Sequence, residues 1–127
     1  MLIGANWDGA DLHDVNFSKA NLRQIHLESA NLSGANLRGS NLRSAIADNA
    51  IFAGANLSGA NLMYARLVGA NLTKARLTGT DLTAADLTGA LLSGANLLGA
   101  KLDEFTTLPD GTRWTPTTNL TTFVTRR

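Results

Sequence analysis

No cysteine occurs in the 127 residues, so the chain has neither a disulfide framework nor a thiolate for catalysis or metal binding. It has only two histidines, His13 and His26, and neither has a second histidine or a cysteine at metal-ligand spacing. No apolar run reaches the roughly 18 residues that a membrane-spanning helix needs. The 11 basic and 10 acidic residues leave a net charge of +1, which favours neither nucleic-acid binding nor imitation of nucleic acid.

The chain is dominated by a five-residue repeat of alanine, asparagine, a large apolar residue, a polar residue and glycine. Residues 30–39 contain two consecutive copies, Ala-Asn-Leu-Ser-Gly and Ala-Asn-Leu-Arg-Gly. Twenty units run from Ala5 to Glu104 without an insertion. We call the large apolar residue the centre of its unit, and Ala47 is the one small centre. Alanine stands two residues before the centre in 16 units, and asparagine or aspartate one residue before it in 13.

A period of five fits neither regular secondary structure. Side chains five residues apart would spread around an α-helix, because each residue turns by about 100°. In a flat strand the side chains alternate, so successive centres would point to opposite faces. Both conflicts disappear if the chain turns a corner in every unit, and Gly, Asn and Asp tolerate the backbone angles of corners. We therefore expect a solenoid with the alanine and the centre inside and the other three side chains outside.

The A(N/D)LxG units resemble those of pentapeptide-repeat proteins, and the resemblance covers about four-fifths of the chain. It implies an all-β fold, a right-handed, four-sided (quadrilateral) β-helix solenoid with four units in each turn. The solenoid would occupy residues 2–104 in about five coils. Residues 20 apart would then stack at the strand spacing of ~4.8 Å.

The interior of this solenoid is predicted from the centres. Phe52 follows the small centre Ala47, and we expect its ring to fill the space that Ala47 leaves, since interiors are close-packed. Trp7 and Phe17 make the first coil bulky; they either close this end or leave it to stack on another copy as a homodimer. The centres that we single out as structural core are Trp7, Phe17, Leu32, Phe52, Leu57 and Leu72.

Residues 105–127 lack the repeat and are predicted to be a C-terminal cap and tail. Leu108-Pro109-Asp110-Gly111 is a turn sequence, since Pro presets φ and Gly accepts a positive φ. Phe105, Leu108 and Trp114 are expected to cover the last coil. The threonine-rich residues 115–127 are either a loose tail or a short strand against the rod. A long dimerisation helix is not expected there, because Thr and Val are poor helix formers.

Two charged groups are candidate sites, each with a simpler interpretation. Asp8, Glu28 and Asp48 would form a vertical carboxylate column, either a divalent-cation site or, as we favour, a solvated surface relieved by neighbouring bases. A basic group would form either a phosphate-binding patch or, as we favour, a solubilising surface. Its members are Lys19, Arg23, Arg38 and Arg43.

Four apolar residues occupy outward positions that are normally polar, and they form the candidate interaction patch: Ile46, Ile51, Val68 and Leu91. In the implied fold all four map to two adjacent sides of the later coils. Such a patch on a rod is either a partner surface or, as we slightly favour from the sequence, tolerated scatter, since single exposed apolar side chains are common.

Nothing in the sequence indicates catalysis. It has no nucleophile–base constellation and no Gly-rich phosphate loop, and we expect a rod filled with Ala and Leu to have no concave apolar pocket of the usual ligand size. We expect no enzyme, catalytic residue, cofactor or metal, and predict a non-catalytic protein-interaction or scaffold module with a protein partner. The alternative, which the resemblance implies, is a DNA-mimicking topoisomerase (gyrase) regulator; near-neutral charge and short length disfavour it. Nucleic acid and membrane are not expected as partners. The default compartment is the cytoplasm, and a signal preceding the chain stays open.

Overall fold

Parallel β-bridges between residues 20 apart tie successive turns of the chain together. The computed structural model describes residues 2–125. The bridges begin with Asn6 and His26 and continue in every unit to Asp81 and Lys101. Each one joins the residues that precede the centres of two units, and four units of five residues therefore complete one turn. Each bridge is isolated because a corner follows at once, so no longer strand forms among the described residues.

Backbone hydrogen bonds run in both directions between neighbouring coils. The N–H of Trp7 donates to the carbonyl of His26 at 2.8 Å, and the N–H of His26 donates to the carbonyl of Ala5 at 2.8 Å. The corner residue adds a third bond, from the N–H of Gly9 to the carbonyl of Glu28 at 2.8 Å. The same pattern repeats in the following coils, so the position of each coil is fixed by its neighbours.

Each corner is a β-turn from a centre to the alanine position of the next unit. In the first unit the N–H of Ala10 donates to the carbonyl of Trp7 at 3.0 Å. The third residue of this turn, Gly9, has a φ of 71°, and a type II turn requires a positive φ at this position. The left-handed region costs a non-glycine residue about 1–2 kcal/mol. Nine such residues nevertheless adopt it, with φ between 56° and 61°: Asp14, Lys19, Gln24, Ser29, Ser44, Asn49, Tyr64, Lys74 and Ala84.

The alanine and centre columns fill the interior. Every centre from Leu22 to Leu92 is buried, and Phe52 is the largest of the fully buried side chains. Leu32, Leu57 and Leu72 are buried as well.

Trp7 and Phe17 are half-buried, and their ring centroids lie 5.5 Å apart. The two aromatic centres therefore meet across the first coil, where Leu2 also packs against the core.

Two buried hydroxyls replace alanine without leaving a polar atom unpaired. The hydroxyl of Ser40 donates to the carbonyl of Leu37, and that of Thr80 to the carbonyl of Leu57, each at 2.7 Å. Within residues 2–125 no buried side-chain nitrogen or oxygen lacks a hydrogen-bond partner. The interior therefore carries no polar group whose desolvation is uncompensated.

A shift of one residue ends the repeat. Thr107 bridges Asp86, which lies 21 rather than 20 residues earlier. Thr106 takes the buried position before it, and its hydroxyl donates to the carbonyl of Leu82 at 2.8 Å. The chain then forms a short hairpin, in which Thr107 pairs with Arg113 in antiparallel orientation. Leu108, at the start of the hairpin turn, is buried.

The C-terminal residues differ from two expectations. Phe105 does not cover the last coil: it is 57% exposed, because the shift of one residue places it in a turn. Of the other two residues predicted for the cap, Leu108 is buried and Trp114 is half-buried. Residues 115–125 are neither a loose tail nor a strand, since they contain the one-turn helix α1, Thr121–Val124. The last carbonyl of this helix accepts the N–H of Gly94 at 2.9 Å, which ties the segment to the rod.

Arg126 and Arg127 of the predicted tail lie outside the described residues. Phe123 and Val124 of α1 pack against the core. No helix within residues 2–125 has the length and apolar character that crossing a membrane requires.

Replacing Phe52 with alanine should lower the free energy of unfolding by about 3–5 kcal/mol, because the small neighbouring centre Ala47 leaves nothing to refill the cavity. Urea unfolding followed by circular dichroism measures this loss. The matched control is Ile51→Ala, one residue earlier but 38% exposed, for which we expect a loss below about 1 kcal/mol. Equal losses for the two variants would contradict the close packing of Phe52.

Candidate protein-interaction surfaces

The outward side chains lie in vertical columns, one residue per coil. We number the four sides of the coil by their first centres: side one by Trp7, side two by Leu12, side three by Phe17 and side four by Leu22. The bridges stack residues 20 apart on each side. A side chain on one side therefore repeats at the spacing of the strands, ~4.8 Å.

The asparagine and aspartate that precede the centres have a structural role. The side-chain oxygen of Asn31 accepts the N–H of Ser33 at 3.0 Å, and that of Asp81 accepts the N–H of Thr83 at 3.0 Å. The same bond, from the N–H two residues later, recurs at the other asparagines of the repeat. These N–H groups take no part in the bonds between coils, so the side chain supplies the missing acceptor. The repeated asparagine is thus explained by the backbone.

The carboxylate column on side one compensates for units that lack asparagine. His26 and Arg66 stand where asparagine is usual. The carboxylate of Asp8 instead accepts the N–H of Glu28 at 2.8 Å, from the coil next to its own. Asp48 accepts the N–H of Val68 at 3.3 Å in the same way, and the Nε of Arg66 lies 3.0 Å from its Oδ2.

These carboxylate oxygens are therefore engaged with the backbone and with an arginine. Among residues 2–125 no group of three or more His, Cys, Asp or Glu side chains is placed to hold a metal ion. The contacts in the fold account for the carboxylates of Asp8 and Asp48, whereas Glu28 contributes its backbone N–H to this arrangement.

The two histidines lie on different sides. His13 Nδ1 lies 2.7 Å from a carboxylate oxygen of Asp11, and both side chains are exposed. The hydrogen bond with His13 lowers the pKa of Asp11, and the same bond raises the pKa of His13 above its ordinary value. His26 is half-buried and forms bridges to Asn6 and Ile46.

Side four carries two shallow clefts, one basic and one aromatic. Arg23 and Arg43, stacked one coil apart, line the basic cleft together with Gln24 and Ser44; its volume is about 160 Å³. The two other basic residues of this group, Lys19 and Arg38, belong to side three.

The aromatic cleft has a volume of about 530 Å³, and its lining residues are Tyr64, Ala84, Asp103, Phe105 and Arg113. Partial desolvation raises the pKa of the Asp103 carboxyl, but bonds from the N–H groups of Ala84 and Phe105 outweigh it, and the net pKa is lowered. The carboxylate is therefore ionised at neutral pH.

No pattern in the sequence indicates the aromatic cleft. The sequence predicts Phe105 to belong to the cap, and Tyr64 is an ordinary corner residue 41 positions earlier. The one available signal was the end of the five-residue period after Glu104, which changes the direction of every following side chain.

The structure distributes the four residues of the apolar patch over two adjacent sides and three successive coils. Ile46 and Ile51 precede consecutive centres and lie on adjacent sides of one coil. Leu91 lies two coils further along, because both Ile51 and Leu91 bridge to Asn71. Leu91 is 55% and Ile51 38% exposed, whereas Ile46 and Val68 are half-buried. Leu98, on side three, is exposed to a larger extent, 73%.

Comparison with known proteins identifies the repeat. A family model described as pentapeptide repeats matches the chain in eight copies, over residues 1–28, 20–53, 47–79 and 80–104. The comparison with curated proteins returned no significant match.

Several solved structures are similar to this chain. A pentapeptide-repeat protein from the thylakoid lumen of Arabidopsis thaliana is 32% identical, with a TM-score of 0.74, over 76% of this chain and 67% of that chain. HetL of the cyanobacterium Nostoc sp. strain PCC 7120, a pentapeptide-repeat protein involved in regulating heterocyst differentiation, is 30% identical, with a TM-score of 0.41, over 86% of this chain and 64% of its own. Rfr23 of the cyanobacterium Cyanothece 51142 is 35% identical, with a TM-score of 0.41, over 84% and 89%.

This chain thus spans about two thirds of the first two of these proteins. The likeness to the Arabidopsis protein indicates a right-handed, four-sided β-helix, which agrees with bridges spaced by 20 residues. The family model and this structural likeness together confirm the resemblance seen in the A(N/D)LxG units: the chain belongs to the pentapeptide-repeat family.

Proposed function

We propose that this protein is a non-catalytic protein-interaction module. In this proposal residues 2–104 are a rigid rod of about five coils, and residues 105–127 are its cap and tail. The observation that carries the proposal is the filled interior, because the alanine and centre columns occupy it and leave the outward columns for contact. Every coil is bonded to its neighbours through the backbone. A surface that is already ordered loses little conformational entropy on binding, which is the physical use of such a rod.

The surface that we assign to a protein partner is the candidate interaction patch, Ile46, Ile51, Val68 and Leu91. Two of its members, Ile46 and Ile51, lie on adjacent sides of one coil. Apolar side chains at these positions leave the adjoining backbone without the asparagine acceptor used elsewhere in the repeat, and they present carbon surface to water. A partner that covers them removes this apolar surface from water, at roughly 25 cal/mol per Å².

The variant Ile46→Asp/Ile51→Asp should lose the partner proteins that wild-type protein captures from a lysate of the source cell, because buried carboxylates at an apolar contact are costly. Quantitative mass spectrometry of the captured proteins measures the loss. Leu98→Asp makes the same kind of change at an exposed leucine on side three, and it should leave capture unchanged. Identical capture by all three proteins would contradict the assignment of the patch.

The same variants test whether two copies of the chain form a homodimer through the first end of the rod. Half-buried Trp7 and Phe17 lie at one end of the rod, away from the coil of Ile46 and Ile51. Dimerisation through this end would therefore persist in the patch variant, and sedimentation velocity distinguishes it from association through the patch.

Imitation of duplex DNA, the alternative function, needs a strongly negative surface along the rod. Here the net charge is +1, and Arg23, Arg38 and Arg43 stand on sides three and four. We therefore expect no change in DNA supercoiling by gyrase when the protein is added in molar excess. Inhibition of supercoiling, measured by gel electrophoresis of plasmid DNA, would favour the alternative over the interaction module.

A further inference from the structure

Two exposed aromatic rings stand on side four with a small residue between them. Tyr64 is 52% and Phe105 57% exposed. Ala84 lies in the coil between the two rings. The N–H of Tyr64 donates to the carbonyl of Thr83, and the N–H of Ala84 donates to the carboxylate of Asp103. The methyl group of Ala84 leaves room between the rings, and the three residues share the aromatic cleft. Exposed aromatic rings around a cleft are typical of binding surfaces.

Each of the two rings is paired with an arginine. The guanidinium carbon of Arg43 lies 5.1 Å from the ring centroid of Tyr64, and that of Arg113 lies 5.9 Å from the centroid of Phe105. Such cation–π contacts hold the side chains before a ligand arrives. A ligand therefore meets rings that lose little rotamer freedom when it binds.

The basic cleft continues the same side toward the first coil. Arg23 and Arg43 line it, and Arg43 also contacts Tyr64, so this arginine connects the two clefts. Two ion pairs occur among residues 2–125, His13 with Asp11 and Arg66 with Asp48, and neither uses an arginine of side four. Guanidinium groups bind carboxylates through paired, charge-assisted hydrogen bonds. We call Arg23, Arg43, Tyr64, Phe105 and Arg113 the arginine–aromatic strip.

The charges along the strip discriminate between an acidic peptide and a nucleic acid. A phosphodiester chain carries a negative charge at every residue, and at the aromatic cleft it would meet the ionised carboxylate of Asp103, where the one basic residue of the lining, Arg113, already stacks on Phe105. A peptide can place an uncharged aromatic side chain there and its carboxylates at the other cleft. The distribution of charge on the strip thus favours the peptide.

We propose that the arginine–aromatic strip binds an extended peptide segment of a protein partner. An aromatic side chain of this segment lies between Tyr64 and Phe105, and its acidic side chains lie on Arg23 and Arg43. This inference rests on the proposed function in assuming a protein partner, but it uses a different face of the rod from the apolar patch.

The fold sets the spacing of the recognised residues. The middle of the aromatic cleft lies at the level of Ala84, and the middle of the basic cleft lies between Arg23 and Arg43, about two and a half coils away. At ~4.8 Å per coil the separation is about 12 Å. An extended peptide covers this distance in about three to four residues, at ~3.3 Å each. The expected motif is therefore one aromatic residue with acidic residues about three to four positions away.

The test is selection from a displayed library of random dodecapeptides on the purified protein. We expect enriched peptides to share the aromatic–acidic motif at this spacing. The affinity of one enriched peptide, labelled with fluorescein, is then measured by fluorescence anisotropy against Tyr64→Ala, Phe105→Ala and Arg23→Gln/Arg43→Gln. Each of these should weaken binding by at least about tenfold. The arginine variant should also lose most of the salt dependence, because screening acts on the charge pairs.

The matched controls are Leu98→Ala, an exposed change outside the strip, and Ile46→Asp/Ile51→Asp, which alters only the apolar patch. Both should bind the peptide as wild type does, and thermal unfolding of every variant verifies the fold. The proposal is wrong if selection enriches no such motif, if the strip variants bind the enriched peptide unchanged, or if fluorescein-labelled oligothymidylate binds the strip more tightly than the peptide. Loss of lysate partners from the patch variant alone, with no peptide bound at the strip, would refute this inference and leave the proposed function standing.

Discussion

The backbone hydrogen bonds between coils are the constraint on which the rest of the structure depends. Each unit donates to both neighbouring coils, so its residues must repeat at intervals of 20. The same bonds hold nine non-glycine corner residues at positive φ, including Tyr64 and Ala84. The conformational cost at each corner is offset because the stacked coils and the buried centres favour one register. Where the interval becomes 21, between Asp86 and Thr107, the solenoid ends.

This constraint distinguishes the repeat positions that have a structural role from those that could have a functional one. The asparagines that dominate the repeat bond to their own backbone, so their abundance carries no information about a partner. The positions that carry information about a partner are those that depart from the five-residue pattern. Some departures are compensated, as where Asp8 replaces the acceptor that His26 does not provide. Others, such as Ile51 and Leu91, place apolar surface in solvent and have no structural reason that we can identify.

The near-zero net charge of the chain conceals an uneven distribution of charge over its surface. The first two coils carry Asp8, Asp11, Asp14 and Glu28 on sides one and two, and Lys19, Arg23, Arg38 and Arg43 on sides three and four. A balance of charges counted along the sequence therefore says little about any one face. In a solenoid the relevant unit is the column, because residues 20 apart act together at a single surface.

The sequence by itself determined the solenoid and its core, because a five-residue period repeats the same local choice in every unit, whereas the four-unit turn was implied by the family resemblance. Phe52, Leu57 and Leu72 could be assigned to the interior from spacing alone. Only the tertiary structure decided what lies beyond the period: Phe105 is exposed rather than covering the end, and residues 121–124 form a helix against the rod. It also brought Tyr64 and Phe105 into one cleft. Such positions depend on contacts between residues far apart in the chain, and no local pattern encodes them.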